Sequence, residues 1–253
     1  MSEQTPKIEV RGLAKRFGAN EVLRDVNLTI EPGESLAIIG GSGSGKSVLL
    51  KCILGLIDQD AGEILVDGES LEMMSAGERD TVRARFGMLF QSGALFDSLS
   101  VWRNVTFALT RGGHGQAREM RRIALENLER VGLGEEVLDL RPNELSGGMQ
   151  KRVALARAIA PRPEIVFFDE PTTGLDPIRA DVINALIVEL VDDLGITAVT
   201  ITHDMVSATK TSHRIAMLYQ GRIVWDGPTF RLRESGNPYV DQFVKGQAEG
   251  PIV

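Results

Sequence analysis

The stretch SLAIIGGSGSGKS, running from Ser35 to Ser47, decides the fold class of this chain. Its opening SLAIIG, Ser35 to Gly40, reads as a buried strand ending in glycine, and Lys46 to Leu56 reads as a helix. Between them, Gly40, Gly41, Ser42, Gly43, Ser44, Gly45, Lys46 and Ser47 match the pattern G-x-x-x-x-G-K-[ST] in its required strand–loop–helix setting. Glycines at these positions let backbone N–H groups turn inward around phosphate oxygens, and the helix start adds partial positive charge. Lys46 is expected to reach the β- and γ-phosphates of a nucleotide, and Ser47 to ligate Mg²⁺.

Outward from this stretch, the apolar runs Arg85–Phe90, Ile165–Phe168 and Ile196–Thr202 are further strand candidates. Near-continuous apolar strands separated by helical segments predict a parallel sheet covered on both faces. Two regions break the pattern. Ile8–Ile30 reads as antiparallel β, and Leu99–Ala160 as mostly helical, with helices over Gln116–Val131 and over Lys151–Ala160 after a glycine pair. Arg214–Asp226 predicts a hairpin turning near Gln220 and Gly221, and Arg231–Val244 is helical in parts. The expected organisation is an α/β core with a β subdomain (1–90 and 161–236), a helical insert (91–160) and a tail (237–253).

Composition bounds the function. The chain has 253 residues, 43% hydrophobic and 25% charged, so it holds enough apolar residues for a packed core. A net charge of -7 argues against a nucleic-acid coat. No secretory signal and no membrane-spanning run is expected. The one cysteine, Cys52, rules out an internal disulfide and a cysteine metal cluster; it reads as a small buried apolar residue in the helix after Lys46, in a reducing compartment.

The run Ile165–Phe168 ends in two carboxylates, Asp169 and Glu170. After such a strand in a phosphate-loop NTPase, the aspartate holds Mg²⁺. Alternation along the strand is expected to turn Glu170 elsewhere, where it polarises the attacking water as general base.

The segment LSGGMQ, Leu145 to Gln150, followed by KRVALARA, resembles the signature of ABC transporter ATP-binding subunits. The rest of that family's pattern follows in order: Phe17 where an aromatic stacks on adenine, Gln91 in the Q-loop, Thr173–Pro177 with Asp176 in the D-loop region, and His203 as the switch histidine. The resemblance runs from about Ile8 to Gly236. It implies an α/β, RecA-like P-loop NTPase core with an antiparallel β subdomain and an inserted helical subdomain. It also implies a homodimer closing head to tail on two ATPs, each between the phosphate loop of one copy and Ser146, Gly147 and Gly148 of the other. Asp176 would help to place the opposite site, and Gln91 would bind Mg²⁺ and couple it to a partner subunit. Val48 stands where many members have threonine, so contacts near the α-phosphate rest on backbone; Thr173-Gly174-Leu175 replaces a frequent Ser-Ala-Leu. His114 and His213 read as solvent-facing.

Four strings narrow the resemblance to the ATPase of Mla-type phospholipid transporters: MLFQSGALF (Met88–Phe96), LSVWRNV (Leu99–Val105), LSGGMQKRVALARAIA (Leu145–Ala160) and the tail YVDQFV (Tyr239–Val244) with KGQAEGP after it. This implies an integral membrane permease, a membrane-anchored lipid-binding-domain protein and an accessory subunit as partners, at the cytoplasmic face of an inner membrane, with no nucleic acid. Phe96, Leu99, Val101 and Trp102 are expected to line the permease contact. ATPases for lipoprotein release, cell division or amino-acid uptake share every catalytic motif, and a soluble ABC ATPase of translation or DNA repair remains a more distant alternative.

Overall fold

The computed structural model describes residues 5–110 and 116–252; His114 falls outside them. In chain order the elements are β1 (Ile8–Phe17), β2 (Asn20–Ile30), β3 (Ser35–Ile39), α1 (Lys46–Ile53), β4 (Ala61–Val66), β5 (Glu69–Ser70) and α2 (Ala76–Arg83). Then come β6 (Phe86–Leu89), α3 (Val101–Val105), α4 (Phe107–Thr110), α5 (Ala117–Arg130), α6 (Gly147–Ile159), β7 (Ile165–Asp169) and α7 (Pro177–Leu194). The chain closes with β8 (Thr197–Thr202), α8 (Met205–Thr211), β9 (Arg214–Tyr219), β10 (Arg222–Pro228) and α9 (Pro238–Lys245). They form two compact units, Met1–Arg83 with Thr197–Val253, and Ala84–Ile196.

The first unit holds an antiparallel sheet in the order β2-β1-β4-β5. It also holds a sheet in which β3 runs parallel to both β8 and β9, with β10 antiparallel on β9. All five residues of β3 are buried, which is why the run Leu36–Ile39 is apolar throughout rather than alternating, while the buried Ser35 hydroxyl donates to the Thr211 carbonyl. The β9–β10 turn has Gln220 at φ 46 and Gly221 at φ 77, the left-handed pair a tight hairpin needs. Strands β4 and β5 and helix α2 carry no strong periodic signal. Strand β4 forms because it completes a ladder on the far edge of β1, and β5 pairs back onto β4.

Helix α1 stops at Ile53, short of the expected Leu56. Gly55 turns the chain at φ 62, and the Arg83 side chain packs on that turn and donates to the Leu54 and Gly55 carbonyls. Cys52 lies on the inner face of α1, 1% exposed, its thiol pushed up to about 11 by burial. The residues expected as a tail carry α9, capped by the Asn237 side chain, with Val240 fully buried against Ala37, Ile39 and Met217.

The second unit pairs β6 with β7 in parallel, and α3, α5 and α6 pack on one another. Helix α6 begins at Gly147, so the glycine pair lies inside its first turn rather than ahead of it. The Ser146 side chain accepts from the Met149 N–H and sets this start.

Candidate functional site

The phosphate-loop residues are gathered in the first unit. Gly40, Gly43 and Gly45 have φ of 155°, 75° and 107°, where an L side chain is strained. At Gly40 a Cβ would also lie 2.2 Å from the Leu218 carbonyl oxygen, and at Gly45 2.9 Å from the Leu23 side chain. These two glycines are therefore demanded by packing as well as by the turn. The hairpin supports the loop from beside it, through a 3.3 Å bond from the Gly221 N–H to the Ser44 carbonyl.

Lys46 is 9% exposed, and its ammonium donates to the carbonyls of Gly40 at 2.7 Å and Gly41 at 3.0 Å. The cation is thus folded over the concave side of the loop. Ser44 is buried with its hydroxyl oxygen unpaired, and no side chain caps the start of α1 after Gly45. A buried donor without a partner costs about 1–3 kcal/mol. A cradle of N–H groups, one buried hydroxyl and one buried ammonium fits a polyphosphate. The Ser47 side chain is exposed at the mouth of this cradle, and Val48 is half-buried behind it.

Phe17 ends β1 and is 51% exposed, so it is not a core aromatic. The Lys15 ammonium lies 5.5 Å from its ring centroid and bonds Asp60, which also accepts from the Arg16 N–H at 2.6 Å. These bonds, the Arg16 one first, hold the Asp60 carboxyl below the ordinary carboxylate range. His203 follows β8 and is exposed; Asp204 beside it caps α8 by accepting from Val206 and Ser207. His213 is exposed as expected.

The other site residues lie in the second unit. Asp169 is the last residue of β7. Glu170 is aimed not by strand alternation, as expected, but by a left-handed backbone at φ 48 just past the strand end. Such a conformation costs a non-glycine residue about 1–3 kcal/mol and is held only by its surroundings. One support is Thr173, whose hydroxyl donates to Glu170 Oε2 at 3.0 Å. Asp176 caps α7, accepting at 3.1 Å from the Ile178 and Arg179 N–H groups. Ser146 and Gly147 are exposed and Gly148 half-exposed at the start of α6.

The Gln91 side chain is exposed, while its main-chain carbonyl accepts from the Lys151 ammonium. Burial pushes the Lys151 ammonium down in pKa, against the opposing pull of Asp169 and Glu170. Lys151 and Thr173 are the residues whose contacts sequence reasoning passed over. Both lie inside quoted motifs, but nothing in their spacing shows what they bind.

Among the residues expected to line a permease contact, Val101 is fully buried and belongs to the core instead. It is the first residue of α3 and points inward. Phe96 is 43% exposed, its ring centroid 4.4 Å from that of Phe107, and Trp102 is half-buried with the Arg103 and Arg121 guanidiniums 5.1 and 5.9 Å from its ring.

Among the described residues no group of three or more His, Cys, Asp or Glu side chains stands ready to hold a metal ion. A Mg²⁺ shared with phosphates needs only one or two protein ligands, and the Ser47 hydroxyl, the Asp169 carboxylate and the Gln91 amide are oxygen donors of that hard type. No helix among the described residues is long and apolar enough to cross a membrane.

The ABC transporter family model matches residues 23–173. The chain is 40% identical over 245 residues to the intermembrane phospholipid transport system ATP-binding protein MlaF of Haemophilus influenzae, covering 97% of this chain and 92% of that protein. It is equally identical to the probable ribonucleotide transport ATP-binding protein mkl of Mycobacterium leprae, covering 97% of this chain and 70% of the relative. Among solved structures it resembles a dimeric, post-hydrolysis ATP-binding cassette bound to ADP and Pi, with TM-score 0.79 and 34% identity over 88% of this chain and 98% of that one.

Proposed function

Because the chain belongs to the ABC transporter family, an ATPase family, we propose that it is the ATP-hydrolysing subunit of an intermembrane phospholipid transporter, working as a homodimer that closes on two ATPs. The observation that carries the ATPase reading is the phosphate loop, with the Lys46 ammonium and the unpaired Ser44 hydroxyl buried at its centre. The lipid reading is supported by the likeness to MlaF across nearly the whole of both chains.

In this reading Gly40 to Val48 bind the phosphates, Lys46 answers the charge of the β- and γ-groups, and Phe17 stacks on the adenine. Ser47, Asp169 and Gln91 hold Mg²⁺, which supplies charge neutralisation of the phosphate oxygens. Glu170 accepts a proton from the attacking water as its oxygen bonds to the γ-phosphorus and the bond to ADP breaks. His203 orients the γ-phosphate. Ser146, Gly147 and Gly148 of the opposite copy offer N–H donors and a helix start to the same phosphate, and Asp176 lies at the crossing of the two copies.

The partners are an integral permease, a membrane-anchored lipid-binding-domain protein and an accessory subunit, at the cytoplasmic face of the inner membrane. Phe96 and Trp102 are the apolar anchors offered to the permease. Affinity capture of the tagged full chain from detergent-solubilised native membranes, with partners identified by mass spectrometry, tests this. A permease together with a lipid-binding-domain protein is the expected result. A permease for another cargo, such as the ribonucleotide in the mycobacterial relative's name, overturns the lipid assignment, and soluble partners alone overturn the transporter.

A further inference from the structure

Helix α6 holds the loop after β6 through two cations, the buried Lys151 and the half-buried Arg157. The Lys151 ammonium, one turn in from Gly147, donates to the carbonyl of Gln91. Arg157, six residues or about 9 Å further along the helix, donates to the carbonyls of Gly93 at 2.7 Å and Ala94 at 2.6 Å. The bonds drawn by these cations go to main-chain oxygens rather than to carboxylates. The loop they hold is strained at Ala94, which carries a side chain at φ 47 directly after Gly93 at φ 74. A buried ammonium is costly unless its hydrogen bonds are made, and Lys151 is only 6% exposed. An apolar residue at this helix position would pack without that cost, so packing does not explain the lysine.

We propose that Lys151 is a positioning residue that ties the main chain of Gln91 to helix α6 and so holds the Gln91 amide in place for the Mg²⁺–nucleotide. This rests on the reading of Gln91 as a metal-binding residue. It adds a mechanical link. Ser146 caps the helix that carries Lys151, so a displacement of the signature on meeting the opposite nucleotide is carried to the Gln91 carbonyl through a single charge-assisted bond. Such bonds are short and about twice as strong as neutral ones.

The test uses the full chain with Lys151→Met, which keeps the length and removes the donors, Gln91→Ala, and the double variant. Lys151→Gln serves if the methionine variant does not fold. Amide exchange over residues 91–94 without nucleotide reads the tie directly, and the Mg²⁺ dependence of ATP hydrolysis reads its consequence. Lys151→Met is expected to raise exchange in this loop roughly tenfold while β7 and α7 keep their protection. It should raise the half-saturating Mg²⁺ concentration by a similar factor and leave nucleotide affinity without Mg²⁺ unchanged. Because Gln91→Ala keeps the carbonyl but removes the amide that the tie serves, the double variant should match Gln91→Ala in Mg²⁺ dependence. Unchanged loop exchange overturns the proposal, as does a Mg²⁺ effect of Lys151→Met that adds in full to that of Gln91→Ala. If Gln91→Ala itself leaves the Mg²⁺ dependence alone, the metal-binding reading of Gln91 falls, and the proposal with it. If Gln91→Ala moves it and Lys151→Met does not, only the proposal falls.

Discussion

The Thr173 hydroxyl donates to Oε2 of Glu170 across 3.0 Å, three residues along a turn that begins in left-handed backbone. The bond fixes one oxygen of the carboxylate proposed as the general base. Glu170→Gln should cut turnover by about 10²–10⁴-fold, the range for loss of a general base, with ATP still bound and a closed dimer accumulating. Thr173→Val should lower kcat about fivefold, the worth of one ordinary hydrogen bond, and leave KM in place. Phosphate release under steady state, with equilibrium ATP binding alongside, checks both. Near-normal hydrolysis by the glutamine variant removes Glu170 from the role of base.

Lys46→Ala takes away the buried cation over the phosphate loop. ATP affinity should drop at least about tenfold, as expected for loss of a charge-assisted contact. Thermal stability should hold or rise, because a buried charge is lost with its desolvation cost. Calorimetric titration together with a melting curve separates the two effects, and unchanged affinity sinks the phosphate-loop assignment.

Ser146 both caps α6 and, in the proposed dimer, faces the opposite nucleotide. Ser146→Asp keeps the cap, since aspartate is as good a capping residue, while bringing a negative charge to the phosphate. The isolated subunit should fold and bind ATP like the parent, yet hydrolyse it roughly a hundredfold more slowly. If hydrolysis survives this substitution, the signature does not act on phosphate in trans.

Asp60 joins β1 to the chain ahead of β4, through the Arg16 N–H and the Lys15 ammonium that faces Phe17. Its carboxyl lies below the ordinary range in the folded chain. Its contribution to stability is therefore complete above the unfolded value of about 3.9 and disappears as pH falls through the lower folded value. Asp60→Asn should melt earlier than the parent at neutral pH, and the gap should narrow below about pH 4. Scanning calorimetry across that range tests the sign, and a gap independent of pH points to a cause other than the charge.

The strand, loop and helix around Lys46 were legible because each step has its own residue chemistry: a buried run, then glycines forced into left-handed backbone, then a helix start. The ABC signature and its order were legible for the same reason. The β4–β5 hairpin and α2 were not: β4 is held by its pairing with β1, β5 by its pairing with β4, and α2 is tied through Arg83 to the turn after α1. The aim of Glu170 was misjudged because alternation ends where the strand ends, and only the backbone past Asp169 decides where the side chain goes. Val101 was assigned to the surface because an apolar residue next to Trp102 looks the same in sequence whether it faces in or out. The contacts of Lys151 and Thr173 were not legible because their partners, a main-chain carbonyl and a carboxylate oxygen, are chosen by the fold rather than by any spacing in the chain.

The buried thiol of Cys52 makes the protein well suited to site-directed labelling. With its thiol pushed up to about 11 by burial and its side chain on the inner face of α1, Cys52 stays protonated at neutral pH and is shielded from reagent. A cysteine introduced at an exposed position away from the proposed nucleotide contacts, such as Met73 or Phe230, would then be the one site a maleimide or spin label reaches. Distances between two copies, with and without ATP, could be read by pulsed spin resonance on the otherwise native sequence, without first stripping a background cysteine from beneath the nucleotide cradle.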